Sequence, residues 1–346
     1  MSGSHPVAVD PSRHSRPVVG PRISLLLSTD RATLDTPSQR IRFTGESRDL
    51  VEQVFPLLNG SLSLDAIASK TGYSPGSIYR HFDELGEDDA IAWLGCSLHA
   101  QEEDDYFESL RLLARFWNRA IFCEPVAMRI FGCTAHVNEV RLWALEFFCF
   151  IRAANAYMAK GVSRLDIPAS LQEIAVRHYV DEAEHEEIFR EGLLEMGFTD
   201  AELDRHVPLP STQALLNFLF ETASGDFSGY LALFTVMQPL EVHPTSDQIT
   251  AKYETLADAY PPVAPFFKAC MRHDLIDAGL GHSEWGLEAL VRATGLPGHE
   301  ARRHIEDVMM QTSAFFCLFY RGIGRQQASR RDRAIRHPVS AAVAFR

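Results

Sequence analysis

The chain has 346 residues, 46% of them hydrophobic, with six cysteines and a formal net charge of −13. That length allows roughly two domains, and that apolar share buries a core without cross-links. The acidic balance argues against a nucleic-acid surface, whose affinity comes from Lys and Arg, and no apolar run approaches the roughly 20 residues of a membrane helix.

Residues 1–21 are rich in Pro and Ser, carry no hydrophobic signal core and are expected to be disordered, which argues for a cytoplasmic protein. Cys96, Cys123, Cys133, Cys149, Cys270 and Cys317 lie far apart with no C-x-x-C pair. They read as thiols of a reducing compartment rather than a disulfide framework. Residues 22–97 are predicted to form a small winged-helix-like α+β domain. ISLLLSTDRATLDTPSQRIRFTG supplies short β-prone pieces, DLVEQVFPLL, LDAIASKTG and PGSIYRHFDEL supply helices, and a strand-like AIAWLGCSL follows. IASKTGYSPGSIYRHF has helix–turn–helix character, with Ser74 and Pro75 placed to start the second helix. Between Arg40 and Asp89 five basic residues face nine acidic ones, which repels phosphate and excludes DNA as the expected partner. Around FPLLNGSLSLDAIA the segment is similar to winged-helix domains that recognise leader or carrier peptides in natural-product pathways. A peptide or carrier protein is the partner that likeness implies; a structural or dimerisation role is the plainer reading, and a homodimer is expected.

Residues 98–322 turn long and helical. The predicted helices are DDYFESLRLLARFWNRAIF, HVNEVRLWALEFFCFIRAANAYMAKG, SLQEIAVRHYVDEAEHEEIFREGLLEMG, TQALLNFLFETAS, SGYLALFTVMQPLE, PPVAPFFKACMRHDLIDAGLGHSEWGLEALVRATG and HEARRHIEDVMMQTSAFFCLFYRG. Apolar residues cover most of their circumference, as in the central helices of a bundle. The fold class is mainly α. Residues 323–346 read as a basic, solvated tail, since from Arg321 onward there are seven Arg and one acid.

Several acids and imidazoles stand out against this apolar background. Glu146 sits inside LWALEFFCFI, where an unpaired carboxylate is expensive to bury, so either a metal or an arginine such as Arg141 or Arg152 must compensate it. In HYVDEAEHEEIF, Glu182 and His185 are three apart on one predicted helical face, the spacing of Glu-x-x-His metal bundles. His178, four residues before Glu182, is placed to support a ligand. Glu241 closes LFTVMQPLE just before a proline, where a solvent-exposed helix end is the competing reading. In RHDLIDAGLGHSEW, His273 and Asp277 share a face. His282 joins them only if one extra residue is absorbed at Ala278–Gly281, as in a π-bulge. Three histidines and four carboxylates suit iron or manganese better than structural zinc.

With that order of elements, residues 100–322 resemble the haem-oxygenase-like diiron oxidases and oxygenases. The resemblance rests on Glu146, on Glu182 with His185, on Glu241, and on His273, Asp277 and His282. The longer gap between Asp277 and His282 departs from the family pattern. The resemblance implies a haem-oxygenase-like bundle holding two Fe(II) ions by those seven residues, with O₂ as co-substrate and an external reductant. Family members that oxidise amine nitrogen resemble this chain in the extra histidine at position 273. The implied activity is therefore oxidation of a small amine to a hydroxylamine, nitroso or nitro product in natural-product biosynthesis. Tyr179, Phe147, Phe150, Phe189 and Trp285 are candidate pocket residues, although aromatics at such spacings are more often plain core. The alternatives are diiron chemistry at carbon, a metal-free relative of thiaminase-like enzymes, and a winged-helix regulator with a helical sensor domain.

Overall fold

Element order follows the hydrophobic pattern closely in the computed structural model, which describes residues 15–20, 23–36, 39–83, 91–95, 97–164, 167–183, 185–237, 244–280 and 286–336. The chain divides into two units. One contains Met1–Cys123, Leu231–Glu241 and Gly286–Ser313, and the other contains Glu124–Tyr230, Val242–Trp285 and Ala314–Arg346.

The first unit begins with β1 (Arg16–Val19), β2 (Ser24–Leu27), β3 (Arg31–Asp35) and β4 (Arg40–Thr44), then α1 (Gly45–Val54), α2 (Leu64–Thr71), α3 (Pro75–Asp83), β5 (Ile91–Leu94) and α4 (Glu103–Phe122). β2, β3 and β4 form an antiparallel sheet in that order, and β1 pairs antiparallel with β5. On central strand β3, Ala32 and Leu34 are fully buried, in one core with Leu50, Val51 and Val54 of α1, Ile67 of α2, and Ile78 and Phe82 of α3. The turn between α2 and α3 has the expected chemistry. α2 ends at Gly72 in the left-handed region (φ +80°), where glycine carries no Cβ penalty. Ser74 Oγ then accepts from Ser77 N at 3.1 Å, with Pro75 opening α3. The region is a small α+β domain, as expected. Strand β1 corrects the expectation of disorder across residues 1–21: Pro17-Val18-Val19 finds a partner in Ile91–Leu94, a pairing too distant in sequence to be read locally.

The second unit is helical. It holds α5 (Pro125–Phe131), α6 (Val137–Val162), α7 (Ala169–Glu182), α8 (His185–Glu195), α9 (Asp200–Arg205), α10 (Pro210–Gly225), α12 (Ser246–Ala259) and α13 (Ala264–Leu280). α11 (Phe227–Met237) and α15 (His299–Arg336) have residues in both units, and α14 (Leu287–Thr294) belongs to the first. α6 packs against α7, α8 and α10, while α13 packs against α8 and α12. The crossing of α8 and α13 is close because Gly192 has no side chain. A Cβ there would lie 3.0 Å from Ala269 Cβ and 3.1 Å from the Pro265 carbonyl oxygen.

Three helices differ from the predicted boundaries. The helix expected through DEAEHEEIF is two, α7 and α8, because Ala183 N–H bonds to Val180 O, a tightened last turn that ends α7. Of the helix expected through DAGLGHSEW, α13 is described to Leu280 and a separate α14 follows Gly286 (φ +136°), with 281–285 outside the described residues. α15 runs on to Arg336, so residue 323 does not begin a tail; Arg, Gln and Ala are good helix formers. α12 was absent from the predicted elements, although Thr245 and Gln248 form a capping box that marks its start.

Among the described residues no helix is long and apolar enough to cross a membrane. Cys149, Cys270 and Cys317 are buried free thiols and Cys123 and Cys133 are half-buried ones; Cys96 lies outside the described residues.

Gly192→Val should force α8 and α13 apart and cost about 1–3 kcal/mol, the usual penalty of overpacking. Urea unfolding of variant and wild type measures it, and an unchanged midpoint would show that the crossing is not tight.

Candidate metal centre

Three of the expected donors converge at the place where α7 breaks and α8 meets α13. Glu182 is the last residue of α7, His185 the first of α8, and His273 faces them from α13. One donor atom from each of Glu182, His185 and His273 lies within 4.8 Å of the other two. Glu182 Oε2 accepts from His185 Nδ1 at 2.8 Å, so the pair meets across a helix break rather than along one helical face. The two imidazole rings are edge-on, with centroids 4.4 Å apart. Asp277 completes the group, with Oδ2 3.4 Å from His273 Nδ1 and Oδ1 3.9 Å from His185 Nε2. His178 lies behind Glu182, its Nε2 3.8 Å from Oε1.

Electrostatics make this a site poised for a cation. Burial pushes the Glu182 carboxyl up, but the His185 hydrogen bond and the charges of His185, His273 and His178 outweigh it and hold the carboxyl below its ordinary range. Burial disfavours a charged His273. The Asp274 hydrogen bond and the negative charges of Asp277, Glu182 and Asp274 reverse that and raise its pKa above the ordinary value. Glu182 Oε1 is buried with no hydrogen-bond partner among the described residues. An unsatisfied buried carboxylate oxygen costs free energy that a bound cation would recover. Donor chemistry and the orphaned oxygen both fit a metal ion about 2.1 Å from each ligand, reached by small side-chain rotations.

The other expected donors are not in this group. Glu146 is fully buried on α6, but its oxygens are bonded elsewhere: Oε1 to His206 Nε2 at 2.9 Å, Oε2 to Leu209 N at 2.9 Å and to Thr212 Oγ1 at 2.5 Å. Leu209 N and Thr212 open α10 and present the positive end of that helix to the carboxylate, so Glu146 is compensated without a metal. Arg141 and Arg152 bond backbone carbonyls instead. Glu241, His282 and Trp285 lie outside the described residues, as does Gly281; Ala278, Gly279 and Leu280, where an irregularity was expected, still belong to α13.

Phe189, 1% exposed, packs on His273 with centroids 5.1 Å apart. It continues into Phe147 and Phe266, and Phe147 into Phe150. Tyr179 is half-buried on α7. Two tyrosines escaped the sequence analysis. Tyr157 of α6 and Tyr230 of α11 are buried, and desolvation followed by nearby negative charge, Glu182 included, pushes both phenols up so that they keep their protons. A Cβ at Gly161 would lie 2.5 Å from Tyr230 Cε2, so that glycine is the notch that admits the ring. The only local signal for these residues is a phenol within an otherwise apolar helix, which is ordinary core composition.

Glu146→Gln should cost about 1–3 kcal/mol, because an amide meets the donors that the carboxylate satisfied, and should leave metal affinity unchanged. Denaturant unfolding paired with metal titration checks both; lost affinity would make Glu146 a ligand. Metal ligation needs neutral imidazole and ionised carboxylate. With the His273 pKa raised and that of Glu182 lowered, affinity should climb as pH rises through and above about 6.5, the ordinary histidine value. Metal titrations across that range check the slope, and a flat profile would contradict it.

No described protein family matches the chain's sequence, and no curated protein does. A TenA homologue from Pseudomonas syringae pv. tomato is similar in structure at TM-score 0.52 and 12% identity, over 65% of this chain and 96% of that one. A domain of unknown function with a haem oxygenase-like fold from Shewanella denitrificans aligns at TM-score 0.49 and 16% identity, over 69% of this chain and 98% of that one. A TenA homologue from P. horikoshii aligns at TM-score 0.44 and 17% identity, over 63% of this chain and 98% of that one. Identities this low show the fold alone: the chain is mainly α, with a helical bundle similar to that of the Pseudomonas TenA homologue and a small α+β region before it.

Proposed function

We propose that this protein is an O₂-dependent non-haem iron oxygenase acting on the nitrogen of a small amine. The observation that carries the reading is the convergence of Glu182, His185 and His273 within 4.8 Å, with Asp277 beside both histidines. Two imidazoles and two carboxylates with no thiolate suit iron or manganese rather than structural zinc. Glu182, His185, His273 and Asp277 would hold one iron. The second iron implied by the family resemblance draws on Glu241 and His282, outside the described residues, and finds no help from Glu146 where it now sits. Iron would supply the one-electron steps that O₂ chemistry needs.

The protein's own residues provide the setting. Phe189, Phe147 and Phe266 form an apolar wall beside His273 that keeps water from the reacting centre. Tyr157 and Tyr230 are buried, and desolvation with nearby negative charge, Glu182 included, keeps their phenolic protons in place. Forming a hydroxylamine from an amine and O₂ releases one water and takes up two electrons and two protons, so an external reductant is required. His273 favours nitrogen over carbon, because it is the donor that the amine-oxidising relatives share with this chain. The N-terminal α+β region is read as a docking module for a peptide or carrier protein, on the likeness of FPLLNGSLSLDAIA, and the chain as a homodimer.

The experiment is to load the protein anaerobically with Fe(II), admit isotopically heavy O₂ with a reductant and a panel of small amines, and identify products by mass spectrometry. Heavy oxygen on nitrogen is expected, with His273→Ala reduced by at least about tenfold. Heavy oxygen on carbon would move the reading to carbon oxidation. No oxygen consumption by iron-loaded wild type would favour a metal-free enzyme of the same fold.

A further inference from the structure

His273 meets two carboxylates at one ring nitrogen. Its Nδ1 lies 3.3 Å from Asp274 Oδ1 and 3.4 Å from Asp277 Oδ2. The two carboxylates differ in what else holds them. Asp277 also approaches His185, its Oδ1 3.9 Å from Nε2. Asp274 is tied outward to α12: its Oδ2 accepts from Tyr253 Oη at 2.6 Å and lies 3.7 Å from Lys252 Nζ. Lys252 Nζ also donates to Tyr253 Oη at 3.2 Å and sits 4.4 Å above that ring. Tyr253 is buried, at 7% exposure, and commits its single proton to Asp274.

We infer that Asp274 is the positioning residue of His273. It accepts the Nδ1 proton and fixes the tautomer in which Nε2 carries the lone pair, with Tyr253 and Lys252 holding the carboxylate in place. This rests on the metal reading of the site. An imidazole that coordinates through one nitrogen needs the other one occupied by an acceptor, and that acceptor fixes the ring's orientation and raises its basicity. Two carboxylates compete for the task. Asp277 reaches both histidines, so a bound ion would draw it away as a ligand. Asp274 is anchored on its far oxygen and stays. The arrangement also explains a third acid beside Glu182 and Asp277: Lys252 on α12 supplies its countercharge, so the acid adds orientation without adding an uncompensated charge.

The test uses the full-length chain labelled with ¹⁵N-histidine, with and without metal. In metal-free protein, long-range ¹H–¹⁵N spectra report the tautomer of each neutral histidine, and the His273 signal is the one lost in His273→Gln. Wild type should show His273 protonated on Nδ1. Asp274→Ala should shift it toward Nε2 protonation, and Asp274→Asn, which keeps a carbonyl acceptor, should restore the wild-type pattern. Anaerobic Fe(II) titration should then show affinity about 10–100-fold lower in Asp274→Ala, with Asp274→Asn and Tyr253→Phe between it and wild type. An unchanged tautomer in a folded Asp274→Ala protein would overturn the inference, and so would wild-type metal affinity in that variant. Wild type that takes up no Fe(II) would instead overturn the metal reading, and with it the role given to Asp274, while the tautomer spectra still report the Asp274–His273 bond.

Discussion

The close crossing of α8 and α13 is the constraint on which the site depends. Gly192 lets the two helices approach until a Cβ at that position would touch Ala269 and the Pro265 carbonyl. His185 lies two turns before Gly192 on one helix and His273 lies one turn after Ala269 on the other. The same contact therefore brings both imidazoles to one place. Glu182 joins them because α7 ends on it and α8 starts at His185. A continuous helix would also put the pair on one face. The break puts a carboxylate and an imidazole at the junction of two helices, where local irregularity commonly marks function.

Burial of charge organises the rest. Three carboxylates and three imidazoles sit within or against an apolar interior, and each has an identifiable compensating partner. Glu182 has His185 and, more loosely, His178. Asp277 has the two histidines, and Asp274 has Tyr253 and Lys252. Glu182 Oε1 is buried without a hydrogen bond among the described residues, and a cation would compensate it. Away from this group Glu146 shows the contrasting solution, a buried acid satisfied by a histidine, a threonine and the start of a helix.

That contrast marks what was legible in the sequence. The helical bundle was, because long apolar periodicity decides helices whatever their partners, and α6 matches its predicted span nearly residue for residue. His273 with Asp277 was legible because local spacing governs which side chains share a face; Glu182 and His185 were picked out by the same spacing, but they meet across the break between α7 and α8. Glu146 was singled out by sound reasoning, since an acid among Leu, Trp and Phe must be compensated. Its compensators lie 60 to 66 residues further along the chain, and no local pattern announces them. The pairing of β1 with β5 was hidden for the same reason. Asp274 stood in plain view in RHDLID, but its role needs Tyr253 and Lys252 from another helix, which only the packing of α12 on α13 supplies. The start of α12 was readable from its capping box; the weak apolar periodicity of that helix obscured it.

The central claim is that a metal ion belongs between Glu182, His185, His273 and Asp277. The most direct measurement is an anomalous difference map recorded at the iron edge from crystals grown anaerobically with Fe(II). A peak about 2.1 Å from donor atoms of Glu182, His185 and His273, with Glu146 still bonded to His206 and Thr212, is the expected result. A cluster free of anomalous density at full iron loading, or a peak centred on Glu146, would contradict it.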